Sequence, residues 1–197
     1  MAVPPTLRTP PTGSLFDEHS RPDFRDVFGY LCRGARAIRT AVTRVRISTL
    51  NLTPEELAGV EDFRVIVADV SALQLTHEAR AVSADPRRAE RLGMIRGLLE
   101  SQRLQVRSAP LAGWSPDFTV FVRPDDHATV LTGFHWFERP YPNRGPALSG
   151  LHEGEAARLA AARHDALWQQ AHDVGPAVWN ILSKAERIVR GIRAVSG

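Results

Sequence analysis

Cysteine is nearly missing. Cys32 stands alone in 197 residues, so no disulfide can form within the chain. The fold therefore makes no demand for an oxidising compartment. Lysine is as scarce. Of 25 basic residues, 24 are arginine and only Lys184 is lysine. Arginine stays charged across the working pH range, so the titration curve crosses zero late and the isoelectric point is high although the formal charge is only +3. A charge that small argues against a large phosphate-binding surface. Arginine in place of lysine, with abundant alanine, fits a GC-rich bacterial coding bias. No apolar run approaches the roughly 18 residues of a membrane span. The N-terminus lacks the charged start and apolar stretch of a signal peptide. A cytoplasmic protein is expected. There is no Walker loop, no G-x-G-x-x-G, no G-x-S-x-G, no H-E-x-x-H and no zinc-finger spacing. No cofactor and no metal site are expected.

What is present suits one domain with a buried core. Residues 1–22, MAVPPTLRTPPTGSLFDEHSRP, are rich in Pro and Thr and have no periodicity. They read as a flexible or loosely docked arm. From Phe24, apolar residues recur at spacings of 3 and 4 through Val27, Phe28, Leu31, Ala35, Ile38 and Val42. This predicts an amphipathic helix about 20 residues long. Arg25, Arg33, Arg36 and Arg39 lie on its other, solvated face. RVRISTL, 44–50, alternates as a strand. Thr53-Pro54-Glu55-Glu56 carries the signals of a capping box opening a short helix. FRVIVADV, 63–70, is a strand whose consecutive Val65, Ile66 and Val67 imply burial on both faces. Asp85-Pro86 opens a second helix, with Leu92, Ile95, Leu98 and Leu99 on its buried side.

The organising stretch is Leu104–Phe137. It holds three apolar runs: one around Val106, then Phe118–Val122, then Ala128–Phe137. Pro124-Asp125-Asp126 is a turn of hairpin length, so the last two runs pair antiparallel. Glu138–Gly150, with three prolines and two glycines, reads as a long loop. An alanine-rich helix follows over Glu153–Asp173, Gly175-Pro176 breaks it, and a last amphipathic helix carries Val178, Ile181, Leu182, Ala185, Ile188, Val189 and Ile192. The order predicts an α/β domain, a mixed sheet flanked by helices with a C-terminal helical pair. The expected division is an arm over 1–22, the α/β domain over 23–174 and the C-terminal helix over 175–197. The apolar face from Val178 to Ile192 exceeds what one small domain covers, which predicts a homodimer.

From Phe24 to Asp173 this order resembles a half-domain of the phospholipase D-like superfamily. The leading helix feeding RVRISTL, then FRVIVADV, then LLESQRLQVRSAP, then PDFTVFVRPDDHATVLTGFHWF carry the resemblance. That family places His-x-Lys on one strand, with an aspartate further on, and Gly-Ser-x-Asn on its hairpin partner. Here Asp117 stands where the histidine belongs and Thr119 where the lysine belongs. Pro124 or Asp125 takes the aspartate position, and Leu131-Thr132-Gly133-Phe134 replaces the Gly-Ser turn. The resemblance implies the layered architecture and the habit of pairing half-domains. It does not carry over the phosphohistidine chemistry.

Candidate chemistry gathers near the hairpin. His127 and His135 are eight apart and share a face of a regular strand, with Asp125 and Asp126 in the turn before them and Asp117 before the partner strand. Arg123, Trp136, Arg139, Tyr141 and Arg144 form an arginine–aromatic group around the loops, able to bind a ligand or to pack a loop. His152, His164 and His172 decorate the alanine-rich helix as solvent-facing polarity. His164 and His172 sit about 12 Å apart, too far to share a metal. The expectation is a non-catalytic regulatory or interaction module with a protein partner and no nucleic acid or membrane. Two alternatives stand beside it: a phosphodiesterase or nuclease using His127 and His135 with a nearby Asp, and a nucleic-acid-associated protein using the arginine-rich helix faces.

Overall fold

The computed structural model describes residues 13–16, 24–42, 52–68, 86–109, 117–133 and 149–195. Their elements are β1 (Leu15–Phe16), α1 (Phe24–Gly34), β2 (Ala37–Val42), β3 (Asp62–Val67), α2 (Pro86–Glu100), β4 (Leu104–Ser108), β5 (Phe118–Val122), β6 (Ala128–Thr132), β7 (Ser149–Glu153), α3 (Glu155–Gln170), β8 (His172–Asp173) and α4 (Gly175–Val195). One eight-stranded sheet runs β1-β7-β6-β5-β2-β3-β4-β8. The β2–β3 and β3–β4 pairs are parallel and the others are antiparallel. The protein is α/β, a mixed sheet with helices on both faces. No helix among the described residues is long and apolar enough to cross a membrane.

Side chains alternate between faces along each strand. On one face Ile38, Val42, Phe63, Val65, Val67, Leu104, Val106, Phe121, Leu131 and Leu151 meet α1, α2 and α4. Phe28 of α1 sets its ring edge-on to Phe121, 5.2 Å between centroids. On the opposite face Ala41, Ile66, Phe118, Val120 and Val130 meet Ala157, Leu167 and Trp168 of α3. The run Val65-Ile66-Val67 divides between the two clusters, as its consecutive apolar residues predict. The hairpin also forms as expected, with Phe118 opposite Thr132 and Val122 opposite Ala128. Asp126 takes a positive φ of 63° in its turn, which an aspartate tolerates better than most residues.

Several expectations are corrected. The first helix ends at Gly34, not Val42, and 37–42 is the strand β2. Ile38 and Val42 fit the helical spacing but are equally two strand steps of two, and pairing to both β3 and β5 decides the matter. Arg36 and Arg39 are therefore not on a helix face. The box at Thr53 forms, with Thr53 N–H donating to Glu56 Oε2 at 3.0 Å and Glu56 N–H to Thr53 Oγ1 at 3.3 Å. It opens a run of turns over 54–59 rather than a helix. Ser149 and Gly150, read as loop, begin β7, and the helix expected from Glu153 starts at Glu155 and ends at Gln170. His172 lies on β8, not on that helix. Leu15 and Phe16, inside the expected arm, pair with Gly150 and Ser149. The strand expected over 44–50 lies outside the described residues. Val178 and Leu182 are buried within this chain against α2, which removes part of the premise for a dimer face.

Candidate binding surface

The catalytic candidates are not brought together. Asp117 precedes β5, while Asp125, Asp126 and His127 form the turn after it. The five residues of β5 between them set the two groups roughly 17 Å apart. The turn groups are spent locally. Asp125 accepts the His127 N–H at 3.1 Å, Asp126 accepts from Arg36 at 2.7 Å, and His127 Nε2 lies 3.4 Å from Glu153. Arg123 opens the same turn, its N–H donating to the His127 carbonyl. His135, Trp136, Arg139, Tyr141 and Arg144 lie outside the described residues. Among the described residues no three His, Cys, Asp or Glu side chains form a group able to hold a metal.

Of the arginine-rich helix faces, the side chains of Arg25, Arg87, Arg88 and Arg91 lie outside the described residues. Arg33 pairs with Glu56 at 3.3 Å and Arg96 with Glu100 at 3.3 Å. Arg103 donates its fork to the carbonyls of Val60 and Leu57, at 2.9 and 2.6 Å. Arg33 and Arg103 tie separate elements together, whereas the Arg96 pair spans one turn within α2.

A different arginine set emerges on the sheet. Arg39 on β2 is the register partner of Arg64 on β3, and Arg107 on β4 stands opposite Ile66, one strand further. All three project to the face that carries α3. That helix packs across β2, β5, β6 and β7. On the β3–β4 half of the face, Ile66 is buried in the cluster with Trp168, and Asp62, Arg64, Gln105 and Arg107 remain at least partly exposed. Trp168 of α3 marks the boundary. The Arg107 guanidinium lies 4.5 Å and that of Arg64 5.5 Å from the centre of its ring. Arg107 also donates to the Trp168 carbonyl at 2.9 Å, and Asp62 accepts from Arg64 at 3.1 Å. An indole face orients guanidinium groups through its quadrupole, so both side chains are held in place with N–H edges left over.

Beneath this row lies His164, wholly buried rather than solvent-facing. Its ring stacks on Trp168 with 5.7 Å between centroids. Neither ring nitrogen has a hydrogen-bond partner among the described residues, and Asp165 Oδ1, at 3.8 Å, is too distant to supply one. Burial pushes its pKa down to about 4. Asp165 opposes that shift, and the nearby Arg39 and Arg64 cations reinforce it. The imidazole is neutral at physiological pH. Asp165 instead holds Arg39, 3.0 Å away.

The sequence carries one signal of this arrangement. Arg39, Arg64 and Arg107 each interrupt a strand at a position of the same parity, where an apolar residue would serve a fully covered sheet.

No family model matches the chain, and no curated protein matches it. Among solved structures it superposes on TrmBL2, an archaeal chromatin protein described as showing a novel mode of DNA binding. The TM-score is 0.47 and the identity 11%, over 86% of this chain. This chain spans 57% of the length of that one. What that protein is described as binding stands against the expectation of no nucleic-acid partner, and a likeness of this degree decides nothing for this chain.

Proposed function

We propose that this chain is a nucleic-acid-binding module that takes the phosphate backbone on the arginine-bearing half of its sheet. The observation that carries the reading is the placement of Arg39, Arg64 and Arg107 on three adjacent strands, on a face that α3 covers only in part. Arginine offers a planar fork that matches two phosphate oxygens at once. Stacking on Trp168 restrains Arg64 and Arg107 in advance, so less side-chain freedom is lost on binding. Two carboxylates, Asp62 and Asp165, keep the row from being strongly positive. That predicts modest affinity with few phosphate contacts, in keeping with the small net charge.

The same proposal makes the module non-catalytic. The separation of Asp117 from His127 along the hairpin supports this. The phospholipase D-like resemblance stands within the proposal as an ancestry in which Asp117 and Thr119 have replaced the reacting pair. A reducing, cytoplasmic setting belongs to it as well, and the buried free Cys32 suits one.

The test is fluorescence anisotropy of labelled single-stranded and duplex oligonucleotides with the whole chain, across about 50 to 200 mM salt. The expected result is binding at low salt that weakens as salt rises. Absence of binding at the lowest salt would overturn the reading, and binding indifferent to salt would remove the phosphate contacts from it.

A further inference from the structure

The open sheet half ends at a groove that the arginine row does not account for. Its volume is about 410 Å³, within the range of small-ligand sites. Gln105 and Arg107 of β4 line it from the sheet, Leu99 from the end of α2, Gln102 from the turn just after it, and Pro176 and Trp179 from the start of α4. Arg107 belongs to both features, so the groove continues the arginine face around the sheet edge.

Three details distinguish the groove from ordinary surface. Trp179 is 40% exposed, unusual for so large an apolar side chain. Its indole N–H is tethered to Glu100 at 3.1 Å, so the ring is fixed while its surface stays accessible. Gln102 adopts a positive φ of 58° just past α2, a position that glycine fills without strain. A glutamine held there brings an amide to the groove at a cost that glycine would avoid. The acidic side chain in the wall, Asp173, already accepts the Gly175 N–H at 2.8 Å. It is committed to the start of α4.

We infer that this groove holds one unpaired base of a single-stranded nucleic acid, stacked on Trp179, with Gln102 and Gln105 facing its edge and Arg107 holding the adjoining phosphate. The inference rests on the nucleic-acid reading of the arginine face and adds a preference for single strands, because a duplex keeps its base faces covered. Stacking of a base on an aromatic ring is tolerant of sequence. Two side-chain amides can each donate and accept, so they favour an edge presenting both kinds of group without fixing one base.

The experiment compares wild type, Trp179→Ala and Trp179→Phe for binding to oligothymidylate and to a duplex of equal length, with circular dichroism confirming the fold of each. Trp179→Ala weakens single-strand binding by about tenfold. Trp179→Phe keeps most of it, and duplex binding is unchanged by either. In parallel, an oligonucleotide carrying 5-bromouracil is irradiated with wild-type protein and the cross-linked peptide is identified by mass spectrometry. The expected adduct is at Trp179. Equal single-strand binding by wild type and Trp179→Ala, or an adduct elsewhere, overturns the groove while leaving the arginine face standing. No binding of either nucleic acid by wild type overturns both.

Discussion

His164 gives the fold a specific acid sensitivity. Its side chain is wholly buried against Trp168, with a pKa pushed down to about 4 by burial. In the unfolded chain the same group titrates near 6.5. The unfolded state therefore binds a proton at a pH where the folded state does not. Stability from this group is fully present above pH 6.5 and is lost as pH falls toward 4. Each unit of that interval is about 1.4 kcal/mol, so the loss is about 2 kcal/mol by pH 5 and about 3 kcal/mol by pH 4. Such a loss is a sizeable share of the total for a domain of this kind. Replacing His164 with leucine, a side chain of similar volume, removes the titration. Urea unfolding of wild type and His164→Leu at several pH values between 7 and 4.5 isolates the effect, since other groups titrate equally in both. The difference in unfolding free energy should shift in favour of the variant by about 2 kcal/mol between pH 7 and pH 5. Parallel loss in the two proteins would refute the reasoning and mean that His164 charges freely in the fold.

Two further outcomes follow from the same geometry. Arg103→Gln strips the fork from the Val60 and Leu57 carbonyls and should cost about 2 kcal/mol, read as a lower melting temperature. Arg103→Lys should rescue only part of it, because one ammonium cannot serve both carbonyls in the plane of the fork; full rescue would refute that account. Wild type and His127→Ala should both fail to hydrolyse a generic phosphodiester substrate, with or without divalent metal. Turnover lost in the variant would overturn the non-catalytic reading.

The hairpin and β3 are legible because their signals are local. Phe118–Val122 and Ala128–Thr132 flank a turn with Pro and two Asp, and Val65-Ile66-Val67 can satisfy its apolar run only between two layers. β2 was not legible. Ile38 and Val42 satisfy a helical spacing and a strand spacing alike, and only the pairing to β3 and β5, far away in sequence, selects the strand. β7 was hidden for a related reason. Gly150 suggests a loop, and its place in the sheet is set by Thr132 across the ladder rather than by its own propensity. The candidate surface was missed in the same way. The spacing around Arg39 suits a helix, and the alanine-rich helix shows little apolar patterning around His164 to mark it as buried. Trp168, one turn along the helix, stacks on its ring, but the sheet that completes its burial lies in no local window. The arginine row exists only once β2, β3 and β4 are set side by side.

The arginine face is the central claim, and neutralising each partner of one ion pair in turn tests it most directly. Arg64 and Asp62 are paired on that face at 3.1 Å. Single-strand binding should weaken in Arg64→Gln, with a salt dependence shallower by roughly one phosphate contact. It should strengthen in Asp62→Asn, which frees the same guanidinium. Loss of fold would weaken both, so the opposite signs cannot come from destabilisation. The account predicts that divergence under matched salt. Equal affinities for Arg64→Gln, Asp62→Asn and wild type would contradict it and take nucleic acid off this face.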